Sequence, residues 1–282
     1  MTAVLPARPA TVPADRPAPP SAGRIALRRV RLELRLFFRE RQQVVFSFAY
    51  PVVMLVIFAS IMGSEERPGG IPFAQYFLAG IAATGIMLTS FQAVGTAVAG
   101  ERESGQLERL QLLGTPPVAY FAGKAGQVLV TAGVQLALLL PVARYAYDVP
   151  MPVDLAHWAT FLWVAALGAL AGTVLGIAAS ASPGSSTSTT TAISALAIVL
   201  QFFSGVFFGF LELPGWMQQA AALFPLKWLT QGMRSAFLPE DAGAFEVAGG
   251  WEHGRTALVL AAWVIIGVMV CMRTFRWRRG EG

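Results

Sequence analysis

The middle of the chain reads ERESGQLERLQLLGTPPVAYFAGK at residues 101–124, a dense charge cluster between two long apolar runs. Its first three residues, all charged, end the preceding apolar run. Gly105 then interrupts the helical pattern, since glycine costs about 1 kcal/mol inside a helix. Residues 106–113 carry leucines at a three-residue spacing with charged residues between them, which predicts a short amphipathic helix. We therefore expect a small polar helix held rigidly between two membrane spans.

The second half of this stretch predicts how the next span begins. Gly114 ends the short helix, Thr115 is suited to cap the following helix, and Pro116 fits its first position. Tyr120 and Lys124 are typical of a membrane interface, where the lysine head snorkels towards water. A polar helix attached to two spans in this way is suited to transmit a force applied outside the membrane to both spans.

The composition is that of an integral membrane protein. The chain is 55% hydrophobic and 13% charged, with a mean hydropathy of +0.57, whereas about a quarter of a soluble protein is charged. The single Cys271 excludes an internal disulfide and a cysteine-based metal site. His157 and His253 stand alone without ligand spacing, so we predict no metal site.

Six apolar runs follow, each near the roughly 20 residues that a bilayer core requires. They comprise residues 44–62, 73–100, 117–142, 158–181, 189–210 and 256–272. The predicted fold is therefore an all-α integral membrane protein with a six-helix transmembrane domain at 44–272.

Two different segments precede the first run. Residues 1–23 are rich in Pro and Ala without an apolar period, which predicts a disordered tail. Residues 24–43 predict an amphipathic helix lying in the membrane surface, with its arginines on anionic lipid. Its apolar stripe and its basic row are Leu27, Val30, Leu34, Phe37 and Phe38, and Arg28, Arg31, Arg35 and Arg39. Nucleic-acid binding is disfavoured, because the row is short and leads directly into an apolar span.

Orientation follows from the basic residues in the loops. Most of the 21 Lys and Arg lie before the first span, in 101–124, or in the basic tail 273–282. Because loops rich in Lys and Arg stay in the cytoplasm, both termini and 101–124 are predicted to be cytoplasmic.

Three further segments carry predictions. Gly168, Gly172 and Gly176 form a small-residue face that favours close helix packing, within the chain or with a second copy. Residues 182–190 are either a second contact with a cytoplasmic partner or a plain turn. Residues 213–234 contain Pro214 and Pro225 and predict two short helices that re-enter the outer face of the membrane, with an amphipathic surface loop as the alternative.

The chain lacks the groups that several chemistries need. It has no G-x-x-x-x-G-K-[ST] motif for nucleotide phosphates. No span has an acidic residue at its middle, which argues against a proton antiporter and an intramembrane enzyme. We predict no catalytic residue. Candidates for a substrate path, or alternatively for plain helix packing, are Gln92, Gln201, Phe202, Phe203 and Phe207.

The motif E-R-E-S-G-x-L-E-R-L, followed by a Thr-Pro pair and Lys124, resembles the signature of type-2 ABC transporter permeases. The closest resemblance is to the membrane subunits of bacterial drug and antibiotic exporters of the daunorubicin type. The Leu-Pro start at 213, Pro225 and Arg234 also resemble the family, whereas Gly209 stands where the family usually has Pro.

The resemblance implies that residues 101–124 hold the coupling helix, which docks on a separate ATPase subunit. By this resemblance the contact residues are Glu101, Arg102, Glu103, Gly105, Leu107, Glu108, Arg109 and Leu110. ATP and Mg²⁺ would sit on the ATPase, with no cofactor on this chain. The resemblance also implies two permease chains, identical or different, in a bacterial plasma membrane, and a path bordered by the second and fifth spans. Export of a polysaccharide or lipid-linked glycan, and a non-transporting membrane anchor, remain the alternatives.

Overall fold

The computed structural model describes residues 22–63, 65–182 and 184–274. The tail predicted at 1–23 lies almost wholly outside these residues, and so does most of the basic tail at 273–282. Six helical segments within the described residues are long and apolar enough to cross a membrane. This result confirms the predicted all-α membrane fold.

The spans and the short helices between them follow one another with short connections. The helices are α1 (Ala22–Arg39), α2 (Arg41–Ile61), α3 (Phe73–Met87), α4 (Ala93–Glu103), α5 (Gln106–Leu112), α6 (Pro117–Tyr147), α7 (Leu155–Ala179), α8 (Ser186–Phe203), α9 (Gly215–Ala222), α10 (Pro225–Phe237) and α11 (His253–Thr274). A π-helical turn at Leu88–Gln92 joins α3 to α4, so the second span is one continuous helix. An antiparallel pair of two-residue strands, β1 (Glu66–Arg67) and β2 (Ile71–Pro72), precedes α3.

The second span is the centre of the bundle. Every residue of α3 except Tyr76 is buried, and α3 packs against α2, α7 and α10. Its π-helical turn carries Thr89 and Ser90, whose hydroxyls donate to the carbonyls of Gly85 and Ile86. Such turns widen a helix locally by one residue. The rest of the chain is thus arranged around a buried span with an irregular midpoint.

The segment predicted as one interfacial helix at 24–43 is two helices. α1 ends at Arg39 and α2 begins at Arg41, so Glu40 is the break. The predicted apolar stripe is also rotated, because Leu27 is 65% exposed whereas Glu33 is buried. The reason is tertiary: α1 packs against α6 through the face that includes Glu33.

The fifth span is shorter than the sequence indicates. Its helix, α8, ends at Phe203 instead of Phe210, because Gly205 adopts a left-handed φ of 71°. Arg234 of α10 donates to the carbonyl of Gly205 and holds this turn. At the other end, α8 begins at Ser186, so part of the loop predicted at 182–190 is helical.

The predicted pair of short helices before the last span is present. Pro214 precedes α9 and Pro225 begins α10. All thirteen residues of α10 are buried, and α10 packs against α3 and α7. A surface loop at this position is therefore excluded.

The glycine face of α7 contacts other helices of the same chain. A Cβ atom built at Gly176 would lie 2.5 Å from the carbonyl oxygen of Phe91 and 3.1 Å from the amide nitrogen of Gly95. One built at Gly172 would overlap Ser90, and one at Gly168 would overlap Leu229 of α10. At Gly172 and Gly176 this face lets the backbone of α7 contact the backbone of the second span.

The bundle has two distinct ends. We call the end that carries α5 and the α7–α8 loop (residues 180–185) the α5 end. The opposite end, with the β1–β2 hairpin (residues 66–72) and α10, is the α10 end.

Candidate coupling and transport sites

Two glycine turns join α5 to the neighbouring spans. Gly105 precedes α5 with φ of 71°, and Gly114 follows it with φ of 69°, a left-handed conformation that glycine adopts without steric cost. α6 then begins at Pro117 with Pro116 as its N-cap, one residue later than the predicted cap at Thr115. Only a few residues on either side therefore attach α5 to α4 and to α6.

The side chains of α5 divide into an anchored face and a free face. Leu107 is fully buried against the bundle and Leu110 is partly buried. Leu107 was expected to contact a partner, whereas its buried side chain attaches α5 to the spans of its own chain. Glu108 and Arg109 are exposed, and Leu112 and Leu113 are 86% and 80% exposed. The free face of α5 thus combines an apolar pair with charged neighbours.

The three charged residues that end the second span all form hydrogen bonds within the chain. Glu101 accepts hydrogen bonds from the Tyr120 hydroxyl at 2.7 Å and from Lys124 Nζ at 2.5 Å. Arg102 donates to the carbonyl of Ser180. Glu103, which is exposed, accepts from the hydroxyl of Ser186. The expected partner contacts at Glu101 and Arg102 are thus occupied by intramolecular bonds.

These bonds connect two loops at the α5 end. Ser180 ends α7 and Ser186 begins α8, so Arg102 and Glu103 attach the α7–α8 loop to the segment that leads into α5. Sequence reasoning treated the two loops as separate contacts. In the structure they form one unit.

A buried group of charges lies beneath this unit, and we call it the α5-end cluster. Its members are Arg29, Glu33, Glu101, Tyr120 and Lys124. Lys124 is only 2% exposed, and its Nζ lies 2.8 Å from Glu33 Oε2. Arg29 Nη2 lies 2.5 Å from the other oxygen of Glu33. The predicted snorkelling of Lys124 is wrong, because two carboxylates compensate the charge inside the chain.

A cavity of about 330 Å³ lies between α2 and the second span. Its lining residues are Gln43, Phe46, Ser47, Tyr50, Pro51, Gly85, Leu88, Thr89, Gln92, Ala93, Thr96 and Ala97. Gln92, a predicted path residue, lines the cavity and donates to Ser194 of α8 at 3.0 Å. The lining combines amide, hydroxyl, aromatic and aliphatic groups and contains no charged side chain.

A second cavity of about 410 Å³ adjoins the first and shares Gln43, Ala93 and Ala97 with it. Glu33, Glu101 and Lys124 are also in its wall. The α5-end cluster and the uncharged cavity are therefore neighbours in space.

The other predicted path residues are placed differently. Gln201 accepts a hydrogen bond from the Tyr50 hydroxyl at 3.0 Å. It therefore contacts a residue that lines the first cavity without lining the cavity itself. Phe202 stacks on Phe207 with ring centroids 5.2 Å apart, and Phe203 packs edge-on against Trp216. The structure thus associates the two glutamines with the cavity, whereas the three phenylalanines belong to aromatic contacts nearer the α10 end.

Two important residues escaped sequence reasoning. Glu33 is an acidic residue in a strongly basic helix, four positions after Arg29, and this spacing was the available signal. Tyr50 is the one tyrosine in the first apolar run, and its hydroxyl needs a partner inside a membrane. Neither signal names the partner, because Lys124 and Gln201 are distant in sequence.

A second buried charge group, the α10-end cluster, consists of Tyr76, Gly205, Arg234 and Glu246. Arg234 Nη1 lies 3.0 Å from Glu246 Oε1, and both side chains are almost fully buried. The guanidinium also donates to the Gly205 carbonyl and lies 4.1 Å from the ring centre of Tyr76. This cluster holds α10, the end of α8 and the start of the second span together.

The fold and these sites define a six-span helical membrane protein with a protruding helix fixed between its second and third spans. The family model described as ABC-2 family transporter protein matches residues 68–272. Because this match covers well over half of the chain, the chain belongs to the ABC-2 transporter family and is a membrane permease subunit of an ABC transporter. No curated protein matches the chain. Membership in this family implies association with an ABC ATPase.

Proposed function

We propose that this chain forms half of the translocation path of an ATP-driven exporter for an amphipathic drug, antibiotic or lipid-like substrate. A second permease chain, identical or homologous, supplies the other half. A separate ATPase subunit binds ATP and Mg²⁺. The observation that carries the proposal is α5, a short helix with an exposed apolar pair, fixed by glycine turns between two spans.

We place the α5 end and both termini on the cytoplasmic side of a bacterial plasma membrane. The excess of Lys and Arg in the corresponding segments supports this orientation. It puts α5 in the compartment that contains ATP.

In this proposal α5 docks on the ATPase through Leu112 and Leu113, with Glu108 and Arg109 at the rim. Apolar side chains that fill a pocket contribute most of the binding energy of such contacts, whereas charges at a rim contribute mainly to specificity. Leu107 and the intramolecular bonds of Glu101 and Arg102 hold α5 in position for docking.

Movement of the ATPase subunits on binding ATP would displace α5. The glycine turns pass this displacement to α4 and α6, the bond of Arg102 passes it to the end of α7, and the bond of Glu103 passes it to the start of α8. The first cavity lies between α2 and the second span, which continues into α4, and its residue Gln92 is bonded to α8. Coupling would therefore change the shape of the cavity.

The lining of the first cavity supports an amphipathic substrate. Amides and hydroxyls at Gln43, Thr89 and Gln92 offer hydrogen bonds, and Phe46 and Leu88 offer apolar contact. A pocket of this kind, mostly apolar with a few polar groups, is typical of small-molecule sites.

The docking proposal is tested by co-expressing the chain with candidate ATPase subunits and measuring co-purification in mild detergent. We expect Leu112→Asp with Leu113→Asp to reduce the bound ATPase at least about tenfold, a loss of roughly 1.4 kcal/mol. The matched control is Val153→Asp with Leu155→Asp, because these two apolar residues are equally exposed at the α10 end. Undiminished binding by the α5 variant would contradict the docking surface.

Reconstitution in lipid separates the alternatives. Stimulation of ATP hydrolysis by amphipathic drugs supports the proposed substrate class, and stimulation by lipid-linked glycans alone favours polysaccharide export. If the ATPase binds but no candidate substrate changes its rate, the result contradicts the proposed substrate class and favours a membrane-anchor role.

A further inference from the structure

α1 presents a strongly cationic face away from the bundle. Five arginines at spacings of three and four form one row on this face, and all are exposed: Arg24, Arg28, Arg31, Arg35 and Arg39. At 100° per residue this row lies opposite the buried residues Glu33 and Phe37. Exposed apolar residues flank the row on both sides, at Leu27, Leu32, Leu36 and Phe38. A cationic row with apolar flanks fits an anionic lipid surface.

The opposite face of α1 is seated closely on α6. A Cβ atom at Gly126 would lie 2.5 Å from a methyl carbon of Val30, and one at Gly123 would overlap Arg29. The glycines of α6 thus form the seat for α1. A shift of α1 cannot be absorbed by a gap between the helices, since there is none at these positions.

From this seat a continuous series of ion pairs leads to α5. Glu33 of α1 pairs with Lys124 of α6, and Lys124 pairs with Glu101 of α4. Glu101 lies four residues before Gly105, the turn that begins α5. These side chains are buried or nearly so. Because charges interact more strongly away from water, a change in one pair affects the next.

We propose that α1 is a regulatory binding surface for anionic phospholipid, and that lipid bound to its arginine row sets the position of α5 through the Glu33–Lys124–Glu101 pairs. The arginine row supplies the recognition of phosphate headgroups. The buried pairs connect that recognition to the segment that carries the docking face.

The test uses the full chain alone, in nanodiscs of phosphatidylcholine and in nanodiscs containing about one third phosphatidylglycerol, a fraction that gives a strongly negative surface. Hydrogen–deuterium exchange is followed in peptides from 24–39 and from 101–114. We expect the anionic lipid to slow amide exchange about threefold in both segments, because exchange reports local opening.

Two variants separate recognition from transmission. The triple variant Arg28→Gln, Arg31→Gln, Arg35→Gln should lose the lipid effect in both segments. Glu33→Gln should keep the effect in 24–39 and lose it in 101–114, since the amide preserves the volume of the side chain but removes its charge. Arg144→Gln is the matched control, because Arg144 is exposed at the far end of α6. Gel filtration checks that each variant is folded and monodisperse.

Three results would overturn the proposal. One is a wild-type lipid effect in α1 that does not extend to 101–114, and another is a full effect in the triple arginine variant. The third is an unchanged response of 101–114 in Glu33→Gln. No ATPase is present in this experiment. A negative lipid result therefore does not contradict docking of α5 on the ATPase, and a negative docking result does not contradict the lipid proposal.

Discussion

The α5-end and α10-end clusters place the same kind of charges in the protein interior but hold them differently. At the α10 end, Arg234 binds one carboxylate and one backbone carbonyl and lies over an aromatic ring. At the α5 end, Lys124 is shared between two carboxylates on different helices, and the side chain of Glu101 is 13% exposed. Arg234 is fixed by several groups in a closed site, whereas Lys124, although equally buried, bridges two helices and one of its two carboxylates is partly exposed.

This difference indicates two roles for buried charge. The guanidinium of arginine is a planar fork that fixes the geometry of its partners, whereas lysine is a point charge on a flexible stem. The α10-end cluster is therefore suited to lock α8, α10 and the second span together. The α5-end cluster is suited to stay connected while its helices move.

The largest effect is expected from Arg234→Met. This change leaves Glu246 as a buried charge without its partner and leaves the Gly205 carbonyl without its donor. Removing one partner of a buried pair costs about 3–5 kcal/mol. A large fall in apparent melting temperature in detergent is the expected measurement. If Arg234→Met reduced only the coupling to ATP hydrolysis and left the melting temperature unchanged, the α10-end cluster would not be the more structural of the two clusters.

Lys124→Met should destabilise the chain by about 2–4 kcal/mol. This cost is slightly smaller than that of Arg234→Met, because Glu101 is partly exposed. The double variant Lys124→Met with Glu101→Gln also removes the carboxylate that has lost its cation, whereas Glu33 keeps its ion pair with Arg29. We expect it to recover at least about 1 kcal/mol relative to the single variant. Substrate-stimulated ATP hydrolysis should remain low in both. Recovery of coupling together with stability would mean that the cluster is only structural.

Gly176→Ala tests whether the α5 end depends on backbone packing as well as on charge. The added methyl group would meet the backbone of Phe91 and Gly95, which cannot move aside as a side chain does. We expect a cost of about 1–3 kcal/mol, read as a lower melting temperature. Gly133→Ala is the control, since no atom lies within 4 Å of its Cβ position. Equal stability of the two variants would show that this helix contact is loose.

The smallest effect is expected from Glu212→Gln at the α10 end. Glu212, whose side chain is 50% exposed, lies 3.3 Å from Arg67, and Arg67 keeps its bond to the Phe207 carbonyl in this variant. Exposed pairs contribute roughly 0–1 kcal/mol, so the melting temperature should change little. A loss comparable to that of Arg234→Met would mean that the α10 end is stabilised by the whole charged rim and not by the buried cluster.

Much of the architecture could be predicted because the bilayer imposes strict requirements on length and composition. The six spans, the short helix between glycine turns and the break at Pro225 all follow from local residue patterns. Helix ends were less predictable. α8 stops at Phe203 because Gly205 and a distant arginine form a turn there, and an apolar run continues past that point without a signal.

The candidate sites were predictable only in part. The sequence located the charged segment at 101–124 correctly, but it assigned Glu101, Arg102 and Leu107 to a partner although their side chains face the chain itself. Exposure of a charged or apolar residue depends on which helices surround it. That information is absent from local spacing.

The sequence by itself determined the membrane class, the number of spans and the position of the short helix between the second and third spans, since these depend on hydrophobic length and on turn-forming residues near one another in the chain. Only the tertiary structure decided that Lys124 is buried between Glu33 and Glu101, that Gln201 stands behind Tyr50, and that α5 exposes Leu112 and Leu113. Each of these depends on contacts between residues far apart in sequence, and such contacts exist only after the helices have packed.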